Sequence, residues 1–94
     1  MSPSRRERIL RTFAQRLRAA RLRKGFRSAE AFANYIGMNP HSYRKYERDP
    51  KNTNSAEPDF YMLMRLCEHL NVTPNDLLPE AAEAPFRQAS SKAS

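Results

Sequence analysis

The sequence predicts an all-α protein, on three observations. Its 94 residues include only two glycines and few β-branched residues, a composition that disfavours sheet. Apolar residues return at spacings of three and four along successive stretches, the rhythm of helices with one buried face. Each stretch is bounded by residues that start or stop helices. A chain of this length suits one domain with a modest core.

The first helix is predicted over Arg5–Lys24, which holds neither glycine nor proline. Met1 to Ser4 is expected to be a frayed tip. Ile9, Leu10, Phe13, Leu17 and Ala20 form the apolar stripe. One reading packs the whole stripe on the domain core. The other extends the first turns, around Ile9 and Leu10, past the core to meet a second subunit. Lys24 and Gly25 end the helix, a cation at the negative end of the dipole followed by the residue that turns left-handed most readily.

Residues 28–48 organise the rest. Ser28 is an N-cap, Glu30 sits near the positive end of the helix dipole, and Ala29, Phe32, Ala33 and Ile36 share one face. Gly37 closes this helix, predicted at about 28–36. Asn39 and Pro40 then start another, about 40–48, with Asn as cap and Pro in the first turn. Tyr43 and Tyr46 lie on one side of it, with His41, Ser42, Arg44 and Lys45 around the others. Asp49-Pro50 stops it. Two short helices joined by a tight glycine turn read either as a DNA-binding helix-turn-helix or as an ordinary helical hairpin.

Residues 49–58 follow as a loop of Pro, Asn and Ser without apolar period. Lys51, Asn52 and Asn54 would lie along a phosphate strand, or the loop would be disordered in the free protein. Pro58 and Asp59 open a further helix whose buried face is read as Phe60, Leu63, Leu66, Cys67 and Leu70. Met62 and Met64 flank that face. Asn71 closes it, Val72 docks on the core, and Thr73 caps a last short helix from Pro74 to Leu78. The tail, 79–94, is small, polar and rich in alanine, and disorder is expected there.

Charge narrows the function. The net charge is +7, and residues 1–27 alone carry +9, leaving −2 for the remainder. A basic block on a small domain is the footprint of a polyanion. Between nucleic acid and an anionic membrane, nucleic acid fits better: the apolar stripe is spaced for burial in protein, and there is no Trp to anchor an interface. No apolar run is long enough to span a bilayer, and the N-terminus lacks the apolar core of a signal peptide. The single cysteine, Cys67, excludes an internal disulfide and fits a reducing compartment. His41 and His69 lack metal-site spacing, and there is neither a phosphate-binding glycine loop nor a carboxylate pair. No enzyme activity, metal or cofactor is expected, and the location expected is cytoplasmic, with the nucleoid.

From Phe13 to Leu78 the sequence resembles the λ-repressor/Cro-like (XRE) helix-turn-helix family. The resemblance rests on Leu17, Arg21, Ala33, Gly37, Asn39, Glu47 and the stretch LxxLCEHLNVTPNDLL at 63–78. It implies a five-helix domain over 13–78, with 1–12 as a basic extension of its first helix and 79–94 as a tail. It implies a major-groove helix at about 40–48, with DNA-binding residues Arg27, Ser28, Asn39, Pro40, His41, Ser42, Tyr43, Arg44, Lys45 and Arg48. Arg5, Arg6, Arg8 and Lys51 would meet phosphates, and Arg21 would pair with Glu47. Ala29 stands where many members carry a phosphate-binding Gln, and Arg27, in a loop one residue longer, would take over that role. The function implied is a transcriptional regulator of phage or bacterial type, a repressor acting as a homodimer on two-fold double-stranded DNA. Two alternatives stand beside it: an antitoxin that represses its own operon, with a toxin as protein partner, and a protein-binding adaptor on the same fold.

Overall fold

The structure is a computed structural model that describes residues 4–52 and 54–79. Five helices follow one another: α1 (Arg5–Lys24), α2 (Ala29–Tyr35), α3 (Pro40–Glu47), α4 (Phe60–Leu70) and α5 (Pro74–Leu77). There is no strand among the described residues. The tail expected from 79 to 94 falls, beyond Pro79, outside them, as do Met1 to Pro3.

Local chemistry sets the ends of these helices. Ser4 belongs to the structure rather than to a frayed tip. Its hydroxyl accepts from the Glu7 N–H at 3.1 Å while the Glu7 carboxylate accepts from the Ser4 N–H at 3.2 Å, a reciprocal cap that satisfies two otherwise orphaned donors. Gly25 ends α1 at φ +108°, its N–H turned back to the carbonyls of Arg21 and Leu22. No atom lies within 4 Å of where a Cβ would stand there, so the requirement for glycine is one of backbone angle and not of space. Ser28 caps α2 through the Ala31 N–H at 3.0 Å. The far end of α2 is closed by the Met38 N–H on the Ala33 carbonyl and by Arg65, which reaches across from α4 to the Ile36 carbonyl at 2.6 Å. Asn39 caps α3 and Asp59 caps α4. Asn71 ends α4 in the left-handed conformation that Asn tolerates better than most residues.

α1 is the hub, packing on α3, α4 and α5, while α2 packs on α3. Leu17, Phe32, Ala33, Tyr43 and Leu66 are wholly buried where these helices meet. Phe32 contacts Phe26 and Tyr43 edge to face, at ring separations of 5.2 and 5.3 Å. These offset geometries suit the ring quadrupoles.

Two readings of the sequence need correcting. Phe60 follows the period of α4's apolar face but is 79% exposed. It is the first residue of the helix, and side chains there point back towards the N-terminus, beyond the edge of the core. The face buried is Leu66, Cys67 and Leu70, with Met62 and Leu63 packed partly against it. The loop after α3, for its part, is tied down. The Ala56 N–H donates to the Lys45 carbonyl at 3.0 Å, and Asp49 and Asn52 side chains accept from Lys51 and Asn54 N–H groups at 2.9 and 2.8 Å. Arg11 and Arg6 of α1 then grip its two ends through Asp49 and Glu57.

Candidate nucleic-acid interface

The placement of α3 follows from one buried charge. Arg21, only 4% exposed, donates from Nε and Nη2 to the two oxygens of Glu47 at 2.8 and 3.1 Å, and from Nη1 to the Phe26 carbonyl at 2.8 Å. The guanidinium thus binds the last residue of α3 and the loop leading into α2 to the same point of α1. Glu47 also accepts from the Tyr43 hydroxyl one turn earlier. The hydrogen bonds from Arg21 to Glu47 raise its pKa further despite burial. Tyr43 is held neutral well above the usual tyrosine range, by burial first and by the neighbouring Glu47 second.

With Tyr43 pointing inward, the 100° step per residue sets what points out. His41, Lys45 and Arg48 fall on the side opposite Tyr43, with Ser42 and Arg44 on the flanks. His41, Ser42 and Arg44 are exposed, Lys45 and Arg48 half-buried. The N-terminal end of α3 is set by Asn39, whose Oδ1 accepts from the N–H groups of His41 and Ser42 at 2.8 and 3.4 Å. Pro40 takes the first helical position, where its missing N–H leaves nothing unsatisfied. Arg27 and Ser28 are exposed at the start of α2. Lys51 is exposed in the loop beyond α3.

Some of the residues expected at DNA are engaged elsewhere. Tyr43 is wholly buried with its hydroxyl on Glu47, so it is a core residue and cannot touch a phosphate. Arg6 is paired with Glu57 at 2.7 Å. Arg44 leans towards Glu30 of α2, 3.7 Å away, in an exposed pair that is weak in water. Arg8 is exposed, and Arg5 lies beside Arg6, Ile9 and Leu10.

The basic block of α1 therefore serves the protein itself as well as any polyanion. Arg6 meets Glu57, Arg11 meets Asp49 at 3.1 Å, Arg16 donates to the Leu78 carbonyl, and Arg21 meets Glu47. Arg11 and its neighbouring Lys51 N–H hold the Asp49 carboxyl below the usual range. These contacts join residues 26 to 62 apart in sequence, and charge counting along the chain cannot see them. The one signal available was the acidic balance of residues 28–94, which places anions where α1's arginines can find them. Exposed cations remain along α1, at Arg5, Arg8, Arg18, Arg23 and Lys24, and around α3, at Arg27, Arg44 and Lys51, with Lys45 and Arg48 half-buried between.

Among the described residues no helix is long and apolar enough to cross a membrane, and no three His, Cys, Asp or Glu side chains gather as a metal site. Cys67 is buried, and its burial raises its pKa, which keeps the thiol unreactive. Comparison with known protein families, with curated proteins and with solved structures returned no match.

Proposed function

We propose that this protein is a sequence-specific DNA-binding transcriptional regulator with a λ-repressor/Cro-like fold. In this reading α2 braces the DNA backbone, α3 lies in the major groove, and a homodimer acts as a repressor on a two-fold operator. The observation that carries it is the division of α3. One face is buried through Tyr43 and pinned by Arg21 and Glu47, and the opposite side carries exposed His41 with half-buried Lys45 and Arg48, flanked by exposed Ser42 and Arg44. A helix held rigidly from behind, with donors on its outer side, is suited to reading base edges in a major groove. Lys45 is the base reader, as lysine pairs with guanine O6 and N7, and His41 shares its face. Arg48, Arg27 and Lys51 are backbone contacts, which set register without reading sequence.

Selection of bound sites from random-sequence DNA tests the reading. The expected outcome is an enriched motif made of two related half-sites about one helical turn apart. Recovery of no motif, with binding that depends only on salt, would remove it.

A further inference from the structure

The side of α1 that meets α3 carries more than the Arg21–Glu47 pair. Arg11, Ala14, Gln15 and Arg18 of α1 share an open hollow of about 130 Å³ with Glu47 and Asp49. It lies where α3 ends and the following loop begins. Both carboxylates there are already engaged. Glu47 accepts from Arg21 and Tyr43, and Asp49 from Arg11 and the Lys51 N–H. Arg18 is exposed, and among the described residues its guanidinium has neither ion pair nor hydrogen bond. Gln15, three residues earlier and so on the same side of the helix, is exposed as well.

The other edge of α1 has different neighbours. Arg23 stands five residues from Arg18, about 140° around the helix. With Lys24 it borders a separate hollow against Leu70, Asn71 and Val72, at the end of α4. Exposed cations thus occupy two edges of one helix, and only the Arg18 edge adjoins α3.

Charge and position together identify what the Arg18 edge holds. A cation without a carboxylate, beside two carboxylates that are already neutralised, attracts an anion from outside the chain. Arg48 and Lys51, read above as backbone contacts, lie in the chain on either side of Asp49. A phosphate strand that passes them at the end of α3 can run on across the hollow to Arg18, where the Gln15 amide supplies a second donor.

We propose that the Gln15–Arg18 edge of α1 is a further contact to the sugar-phosphate backbone of duplex DNA, beside the groove that α3 enters. The inference rests on the reading of α3 as a DNA-binding helix and extends the contacted backbone on to α1. Arg23 and Lys24, at the far edge, take no part.

Salt titration of the full chain with a random-sequence duplex of about 30 base pairs, roughly three helical turns, tests it. Arg18→Gln and Arg23→Gln each remove one positive charge from an exposed position, so a response to net charge alone is the same in both. A direct contact at Arg18 makes them differ. For Arg18→Gln the slope of log K against log salt should become shallower by up to about 0.9, while Arg23→Gln keeps the wild-type slope. Since neither side chain is buried, the thermal midpoint should be the same in all three proteins. Equal slopes in the two variants overturn the proposal. If Lys45→Ala still alters base preference in that case, the reading of α3 stands without α1. A wild type that binds no duplex removes both together.

Discussion

Arg21 on α1 and Glu47 at the end of α3 meet through two parallel hydrogen bonds at 2.8 and 3.1 Å, with their side chains 5% and 10% exposed. The fork of the guanidinium matches the carboxylate in plane and spacing, which fixes direction as well as distance. The pair thereby sets the orientation of α3 relative to the longest helix of the protein.

Removing either partner leaves the other as an uncompensated charge away from water. Arg21→Ala and Glu47→Ala are each expected to lower unfolding free energy by about 3 kcal/mol. Because they act on one interaction, the double variant should cost clearly less than the two single changes added together. Urea unfolding of the four proteins measures this. Additive losses would mean the pair is not coupled.

Tyr43 gives the protein a weakness in alkali. The fold favours its neutral form, so its pKa in the folded chain lies above that in the unfolded chain. The stabilisation is complete below the ordinary tyrosine value near 10 and is lost as pH rises above it. Denaturant unfolding from about pH 9 to about pH 11 should show wild-type stability falling while Tyr43→Phe falls less steeply. Parallel curves would place the alkaline loss in other groups.

Lys45 and Arg48 are expected to differ in kind. Lys45→Ala should cost about 1–3 kcal/mol on operator DNA and relax preference at one or two base pairs. Arg48→Ala should weaken operator and random DNA alike. Titration of both variants against single-base operator changes separates the roles. A common factor across all sequences for Lys45→Ala would make it a backbone contact and move the reading face elsewhere on α3.

Asp49 holds Arg11 at 3.1 Å, and under the proposed function it would compete with DNA for that guanidinium. Asp49→Asn removes the charge that holds the guanidinium while keeping an oxygen for the Lys51 N–H. The freed arginine lies beside the end of α3, so affinity for operator and random DNA should rise together. The slope of log K against log salt should steepen by up to about 0.9. An unchanged slope would show that Arg11 stays out of reach of the phosphates.

The helices were legible because their ends are written locally. Ser28, Asn39, Asp59, Thr73 and the glycines at 25 and 37 act on neighbours within a few residues, and periodicity marked Leu17, Phe32, Ala33 and Leu66 as core. Tyr43 was harder. A tyrosine on a helix can bury its ring and satisfy its hydroxyl inside, or keep the hydroxyl in water, and sequence spacing is the same for both. What decides is Glu47, which accepts from that hydroxyl while serving Arg21. Phe60 shows the complementary limit, since a period predicts which face is apolar but not where the core ends. The pairs Arg6–Glu57 and Arg11–Asp49 depend on where a loop is carried in space. As for the candidate interface, the outward set on α3 was readable from spacing once its inward face was known.

The position of α1 has a consequence for how the protein is made. Its partners are α3, α4 and α5, and the Arg16 guanidinium waits for the carbonyl of Leu78. At ribosomal speeds of about 5–20 residues per second, roughly three to ten seconds pass between synthesis of Lys24 and of Leu78. Until α4 and α5 are made, Phe13 and Leu17 have only the part of their core that α2 and α3 supply. The arginines spaced along the same helix give the nascent segment a dense like charge, which keeps unfinished chains apart. In the finished chain four of the same arginines are drawn into contacts with Glu57, Asp49, Leu78 and Glu47.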